Sequence, residues 1–496
     1  MHLENYIDGK WCHTAEGRKF ATVNPSTGEE IARFDRSEPA DVDAAIEAAH
    51  RAGPDWRAMP APLRANYLVR VARIAQDRED ELSQRISEEH GKTIGDAHDD
   101  VQELIHVALY WAGEGRRQFG AMVPSEKRGK LGFSRREPLG VVVALLPWNF
   151  PLTKAALKVF PALVLGNTVV FKPAHETPFI GSLFQELLAD AELPGGVVNL
   201  VQGHSEDIGD RLVDHPLVRL ITHTGDTEVG RSIAARAGRR LVPVSLELGA
   251  KNALVVHADA DLDLALDWAV RSATATSGQR ETTASRLILH EDVEGQFTER
   301  LVDRLNRLRL GNPQDETTEI GPLISEEQLD AVEDYVRRAV ESGGRILCGG
   351  RRAPVHGLDH GFFYPPTAVA DLDPYSAVAL EEVLGPVTML YTFKELDDAI
   401  TMANASSFGL SMSIFTSDIG TAISVCERFD SGVVWVNAGT VGAEVGLPFG
   451  GTKATGIGTT EWGPGAIDTF TRWKTTYINY SGEVRPVFED TRLWYG

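Results

Sequence analysis

The chain has 496 residues, is 43% hydrophobic and 24% charged, and carries a formal net charge of −22 at pH 7. That length exceeds what one core can serve and implies two or three domains, each with enough apolar sequence to bury its own interior. The acidic balance excludes a nucleic-acid partner, because phosphate binding relies on clustered Lys and Arg, and no apolar run reaches the ~20 residues of a membrane span.

Met1-His-Leu-Glu-Asn5 lacks the basic start and apolar stretch of a signal peptide. The three cysteines, Cys12, Cys348 and Cys426, are far apart and lack metal-ligand spacing, which fits a reducing compartment, a cytoplasmic protein and no metal site. From Pro39 to about Gly120 the pattern is helical; Val42, Ala45, Ile46 and Ala49, for example, recur on one face. From Gly140 the texture changes. Val141–Leu146, Thr168–Phe171 and Val197–Val201 are continuous apolar runs separated by helices, one after Pro151 and one around Leu183 to Leu188. Such runs predict a parallel sheet covered on both faces. A second alternation from Leu254 to about Val436 predicts a second α/β domain, and the flanking segments Ser125–Pro138 and Arg472–Tyr480 are candidate extended strands.

Several short strings punctuate this pattern. Phe171-Lys-Pro173 follows a strand, which puts Lys172 at the carboxyl end of the sheet, where doubly wound folds bind ligands. The turn from Gly225 to Gly230 follows the apolar stretch Val218–Thr222 and precedes the helical run Arg231–Arg236. Its glycines let a backbone approach a diphosphate, and the helix start offers free amides. Asp226, which would repel a diphosphate if it pointed outward, is expected to cap that helix.

Together with Pro147-Trp-Asn-Phe-Pro151, Leu246-Glu-Leu-Gly-Ala-Lys-Asn252, Glu381-Glu-Val-Leu-Gly-Pro386 and Pro448-Phe-Gly-Gly-Thr-Lys453, these strings, in this order and with these gaps, resemble the aldehyde dehydrogenase superfamily over nearly the whole chain. The resemblance implies a Rossmann-type cofactor domain over 1–120 and 140–247, a second α/β catalytic domain over 248–450, and a β oligomerisation arm over 121–139 and 466–496 that makes dimers or tetramers. It implies NAD or NADP as cofactor. Lys172 would bind the adenosine ribose and Glu382 the nicotinamide ribose, with Trp148, Gly225, Asp226, Gly230 and Leu248 along the same groove. His175 stands where the family often has a glutamate that favours NAD, which makes NADP admissible. Leu384 stands where an aromatic is usual.

The resemblance also implies a cysteine thiolate that attacks the aldehyde and an oxyanion held by an asparagine amide and the cysteine's own backbone amide. Hydride transfer then leaves a thioester, hydrolysed by a glutamate-activated water. Asn149 matches the oxyanion donor, with a helix N-cap as its plainer alternative. Glu247, in apolar sequence, matches the general base and should have a raised pKa. The nucleophile position, thirty-four residues after Glu247 and preceded by Gly278-Gln-Arg280, holds Glu281.

A carboxylate cannot form a thioester, so the covalent route through this position is closed. Three explanations stand open: an engineered change in an otherwise intact site, a thiol-less member performing another hydride transfer on an imine or hydrated carbonyl with Glu281 and Glu247 as acid and base, or a non-catalytic cofactor-binding or structural homologue. The two glutamates are expected to face each other and titrate as a coupled pair, one of them raised. For the small-molecule aldehyde or related carbonyl, Phe150 and Phe449 are candidate apolar walls. Lys154 is a candidate contact for an anionic tail, against the plainer expectation of a solvent-facing lysine.

Overall fold

The computed structural model describes every residue except 1, 15, 459, 461 and 485–496; the last stretch of the expected arm therefore lies outside the described residues. The Val-rich runs form the centre of an eight-stranded sheet. Val141–Leu145 lies between Thr168–Lys172 and Val218–Thr224, and all three are parallel. From the first of these the chain winds outward through Thr168–Lys172 to Val198–Leu200, then crosses to the other side for Val218–Thr224 and Val244–Glu247. The reversal beside Val141–Leu145 is a topological switch point, where the carboxyl ends of the strands open a crevice.

The helix Pro151–Val164, which leaves that crevice, is buried at every one of its 14 positions. Such a helix has no solvent face, and Lys154 and Lys158 therefore lie in the interior. The four helices from Pro39 to Glu114 pack around it and the sheet, in agreement with the helical reading of that segment.

The second alternation forms a seven-stranded sheet with Ala253–Val256 near its middle, flanked by Arg286–His290 and Ser411–Phe415. It is parallel except for the edge pair Arg345–Cys348 and Thr367–Ala370. The two outlying segments pair with each other: Lys130–Pro138 runs antiparallel to Thr471–Asn479, with Ala121–Val123 at the edge. This three-stranded sheet leaves Met122, Trp473 and Tyr477 exposed. Among the described residues no helix is long and apolar enough to cross a membrane.

One loop between Leu262–Thr274 and Arg286–His290 departs from regular structure. Thr276, Ser277 and Gly278 have φ of 53°, 55° and 70° in succession. At Gly278 a Cβ would come within 2.1 Å of the Gly385 carbonyl oxygen, so backbone packs directly on backbone. We expect Gly278→Ala to lose about 2–4 kcal/mol of stability by overpacking and left-handed strain. Gly238→Ala, in open space on the Thr227–Arg239 helix, should gain up to about 1 kcal/mol. Denaturant midpoints of the two variants against the parent check both signs.

Candidate active site

Asn149 sits in the turn between Val141–Leu145 and the buried helix, 3% exposed. Phe150, and not Asn149, occupies the N-cap position, and no side chain caps the helix. The capping role weighed for Asn149 is therefore not its role. Its Nδ2 donates to the Gln279 carbonyl at 3.2 Å, and its own carbonyl accepts from Lys92 Nζ at 2.8 Å.

Glu281 enters the same space from the left-handed loop. Asn252 Nδ2 fixes its carbonyl at 2.6 Å and that of Thr283 at 3.0 Å. Its carboxylate is held by the Lys154 ammonium, by its own backbone N–H and by the Asn149 amide. Burial pushes the Glu281 carboxyl up, but the Lys154 charge and these hydrogen bonds outweigh burial, and the net shift is downward.

Lys154 is the residue that the sequence reading misplaces. It is 5% exposed, and its Nζ lies 3.0 Å from Glu281 Oε1 and 3.6 Å from Glu247 Oε2. The expected repulsion between two facing carboxylates is thus replaced by an ammonium that pairs with both, and Glu281 is lowered where a bare pair would have raised one member. The physical reason is the burial of the helix on all sides, which leaves Lys154 no solvent face and turns its ammonium toward the two carboxylates.

Two further carboxylates, one buried and one partly buried, brace the centre and were not anticipated. Asp100, fully buried on the Ile94–Glu114 helix, pairs with Lys92 at 3.3 Å and accepts from Thr153 N and Oγ1 at 2.9 and 2.6 Å. Asp96, one turn earlier, takes Arg280 Nη2 at 2.9 Å and the Thr276 backbone N–H at 3.0 Å. One helix therefore holds both the Asn149 turn and the Glu281 loop. Lys92 and Arg280 also sit over the Phe150 ring, at 4.1 and 4.8 Å. The only advance sign was the i, i+4 spacing of two aspartates on what proves to be a buried face.

A cavity of about 540 Å³ opens onto Glu281 and Lys154, with Phe150, Phe449, Trp268 and Trp462 among its walls. Phe150, Lys154 and Phe449, the three candidate substrate contacts, all line it. Among the described residues none of the three cysteines does.

On the other side of the crevice, Gly225 follows Val218–Thr224 and its N–H donates to the Glu247 carbonyl at 3.0 Å. Asp226 caps the next helix, its Oδ1 accepting from Val229 N at 2.9 Å. That cap starts the helix at Thr227, four residues ahead of the apolar run that suggested it. Gly230 packs on Leu248, where a Cβ would come within 2.3 Å of Leu248 Cδ2. Glu382 Oε1 accepts from Ala250 N at 2.8 Å, and burial pushes its carboxyl up to about 7. The Leu384 carbonyl accepts from Gln328, and the Trp148 ring lies 5.8 Å from that of His90.

Lys172 closes its strand 4% exposed, donates to the Pro173 carbonyl at 3.0 Å, and is pushed down to about 8 by burial. His175 lies on the surface, paired with Glu176 at 3.1 Å and 4.5 Å from the His204 ring, away from the carboxylates. The glycine turn, the helix start and the strand-end lysine together fit a dinucleotide, because the turn leaves backbone accessible and the helix presents its positive end.

Comparison with known proteins covers the same span. The model of the aldehyde dehydrogenase family matches residues 11–476. The chain is similar to an alpha-ketoglutaric semialdehyde dehydrogenase of Bacillus subtilis, 35% identical over 96% of this chain and 97% of the other. It is similar to a hydroxyisobutyraldehyde dehydrogenase of Mycolicibacterium austroafricanum, 38% identical over 96% and 93%. It also superimposes on a betaine aldehyde dehydrogenase from Staphylococcus aureus solved with NAD+, with a TM-score of 0.96 and 31% identity, over 99% of this chain and 97% of that one.

The ion triplet sets two opposite pH dependences. A carboxyl lowered on folding stabilises fully above its unfolded pKa, and that contribution is lost as pH falls through the folded value. The stability advantage of the parent over Glu281→Gln should therefore shrink as pH drops below the ordinary carboxylate range. Lys154→Met leaves two buried carboxylates without counter-charge and should cost about 3 kcal/mol near neutrality, partly recovered in acid. Denaturant titrations of parent and variants across pH 3 to 8 (a range spanning the carboxylate values) give both slopes.

Proposed function

The chain belongs to the aldehyde dehydrogenase family, and we propose that it is an NAD(P)-binding member whose aldehyde-oxidising centre is closed by its own Glu281. The observation that carries this reading is the seating of the carboxylate. It takes up the Asn149 amide and the backbone N–H of residue 281, the two donors that the family resemblance assigns to the oxyanion, with Lys154 as counter-ion. A substrate carbonyl would have to displace an ionised, charge-paired group to be polarised there, and no thiol is present to attack it. The buried counter-charge favours the carboxylate as a settled part of the site over a single introduced change, since an unpaired carboxylate in that position would be costly.

NAD or NADP would lie along Lys172, the Gly225–Gly230 turn and Glu382, with Trp148, Asp226, Leu248 and Leu384 beside it, and His175 near the adenosine ribose. The solved relative with NAD+ supports this placement. A bound nicotinamide supplies a hydride acceptor or donor. The residues around it retain their form without the thiol: Lys172 anchors at a strand end, the Thr227–Arg239 helix directs amides at the turn, and Glu382 is fixed by Ala250 N. Glu247 keeps its place at the end of its strand, positioned to accept a proton from water.

A second reading rests on the same ion triplet. Glu281, ionised and paired with Lys154, would take the hydroxyl proton of a hydrated carbonyl, and a bound nicotinamide would supply the hydride acceptor for oxidation to a carboxylic acid with no covalent enzyme intermediate. The exposed face of the Ala121–Val123, Lys130–Pro138 and Thr471–Asn479 sheet supports a homodimer or homotetramer. The free cysteines are in keeping with a cytoplasmic setting.

Glu281→Cys, assayed beside the parent with a panel of aldehydes and both cofactors, separates these readings. The parent should stay at background, and the variant should oxidise aldehyde at least about a hundredfold faster, because Asn149 and Glu247 are already in place. A parent that turns over a carbonyl, and loses that activity on gaining the thiol, would replace the closed-centre reading with the acid/base one. NAD and NADP should each be titrated by calorimetry with the parent; no saturable binding of either in the millimolar range would remove the cofactor claim. Light scattering should give a mass above the 54.1 kDa monomer, and a monomer alone would remove the oligomer.

A further inference from the structure

One cleft runs against the acidic character of the chain. It lies between the end of the Pro39–Ala58 helix, the start of Ala61–Asp77 and the strands Lys130–Pro138 and Thr471–Asn479. Its volume is about 430 Å³, and Arg57, Arg64, Arg135, Arg136 and Lys474 line it, with Glu137 as the sole acidic lining residue among those described. A smaller hollow of about 180 Å³ shares Arg57 and adds Arg472.

The partners of these cations do not balance them. Glu137 is shared between Arg135 at 2.9 Å and Lys474 at 3.3 Å. Arg136 pairs with Asp468 and lies 3.9 Å over the Trp473 ring. Arg57 has no ion pair among the described residues. Arg64, 6% exposed, donates only to carbonyls, including those of Val164, Arg57 and Met59. Five cations thus meet two carboxylates, Glu137 and Asp468.

Arg64 has an ordinary structural role, because it neutralises the carbonyl ends of two helices. That role accounts for Arg64 and leaves Arg57 without a counter-ion among the described residues and Lys474 sharing the single carboxylate of Glu137 with Arg135. Space is also reserved around its guanidinium: Gly166, at φ +94°, would place a Cβ 3.3 Å from Arg64 Cζ. A fixed, buried guanidinium beside the more exposed Arg57, Arg135 and Lys474 is a geometry that selects several anionic oxygens at once.

We propose that this cleft binds a small multivalent anion, a phosphorylated metabolite or a tricarboxylate. The cleft shares Pro54, Arg57 and Pro138 with the smaller hollow, and that hollow is lined by Gly140, Val141 and Thr168, at the amino ends of the strands whose carboxyl ends frame the Asn149 centre. The ligand therefore occupies the opposite edge of the sheet from the dinucleotide groove, and the inference does not depend on the cofactor reading.

The test is calorimetry of the full chain with inorganic diphosphate and, separately, citrate, at low and at raised salt and with NAD present to fill the dinucleotide groove. One equivalent of either anion should bind saturably and more weakly in salt. Arg57→Ala and Lys474→Ala, both surface changes, should each weaken binding by about tenfold, with NAD titration and unfolding midpoint unchanged. Tighter diphosphate identifies a phosphorylated ligand, and tighter citrate a carboxylate one. Absence of saturable binding of both anions at millimolar concentration, or equal binding by the Arg57→Ala/Lys474→Ala double variant, overturns the proposal.

Discussion

A buried ammonium between two largely buried carboxylates is the interaction on which the centre depends. Glu247 arrives at the end of a sheet strand and Glu281 from a strained loop ahead of a strand of the second sheet, and each raises the cost of ionising the other. Lys154 removes that conflict from the inside. Desolvating three charges is expensive, and the triplet is tolerated because each carboxylate keeps an ammonium within 4 Å and Glu281 has amide donors besides. Charge compensation, more than any single hydrogen bond, makes a carboxylate admissible at position 281.

The surrounding structure makes that compensation rigid. Asp100 and Asp96 on one helix grip Thr153 and Arg280, so the helix that carries Lys154 and the loop that carries Glu281 share a common support. Lys92 extends the support to the carbonyl of Asn149. A side chain held on two sides this way loses little further freedom when it pairs, which strengthens each charge-assisted contact relative to a surface pair.

Much of this was legible in the sequence, for reasons that can be named. Continuous Val runs declare buried parallel strands, and the order of the glycine turn, the Lys-Pro strand end and the Glu-Leu-Gly segment locates the crevice. Asp226 reads as a cap because its alternative is electrostatically poor, and it is one. Lys154 was misjudged because a lone lysine is usually solvated, whereas Pro151–Val164 has no polar stripe and so no face to turn outward. Asp96, Asp100 and Lys92 escaped because they are some fifty to nearly two hundred residues from the groups they hold, and local pattern carries no information across that separation.

The two sides of the crevice are built from different parts of the chain. One side is made by the ends of Thr168–Lys172 and Val218–Thr224, two strands of one sheet, and by the helix capped at Asp226. Glu281 belongs to a loop ahead of Arg286–His290 in the other sheet, tied to Asn252 and braced by Asp96. Glu281 is bound by Lys154 and Asn149, and neither residue supports the glycine turn. Its charge nevertheless crosses the crevice: burial first, and then the Glu281 carboxylate, push the Glu382 carboxyl up, so the two sides have separate backbone supports and a shared electrostatic environment.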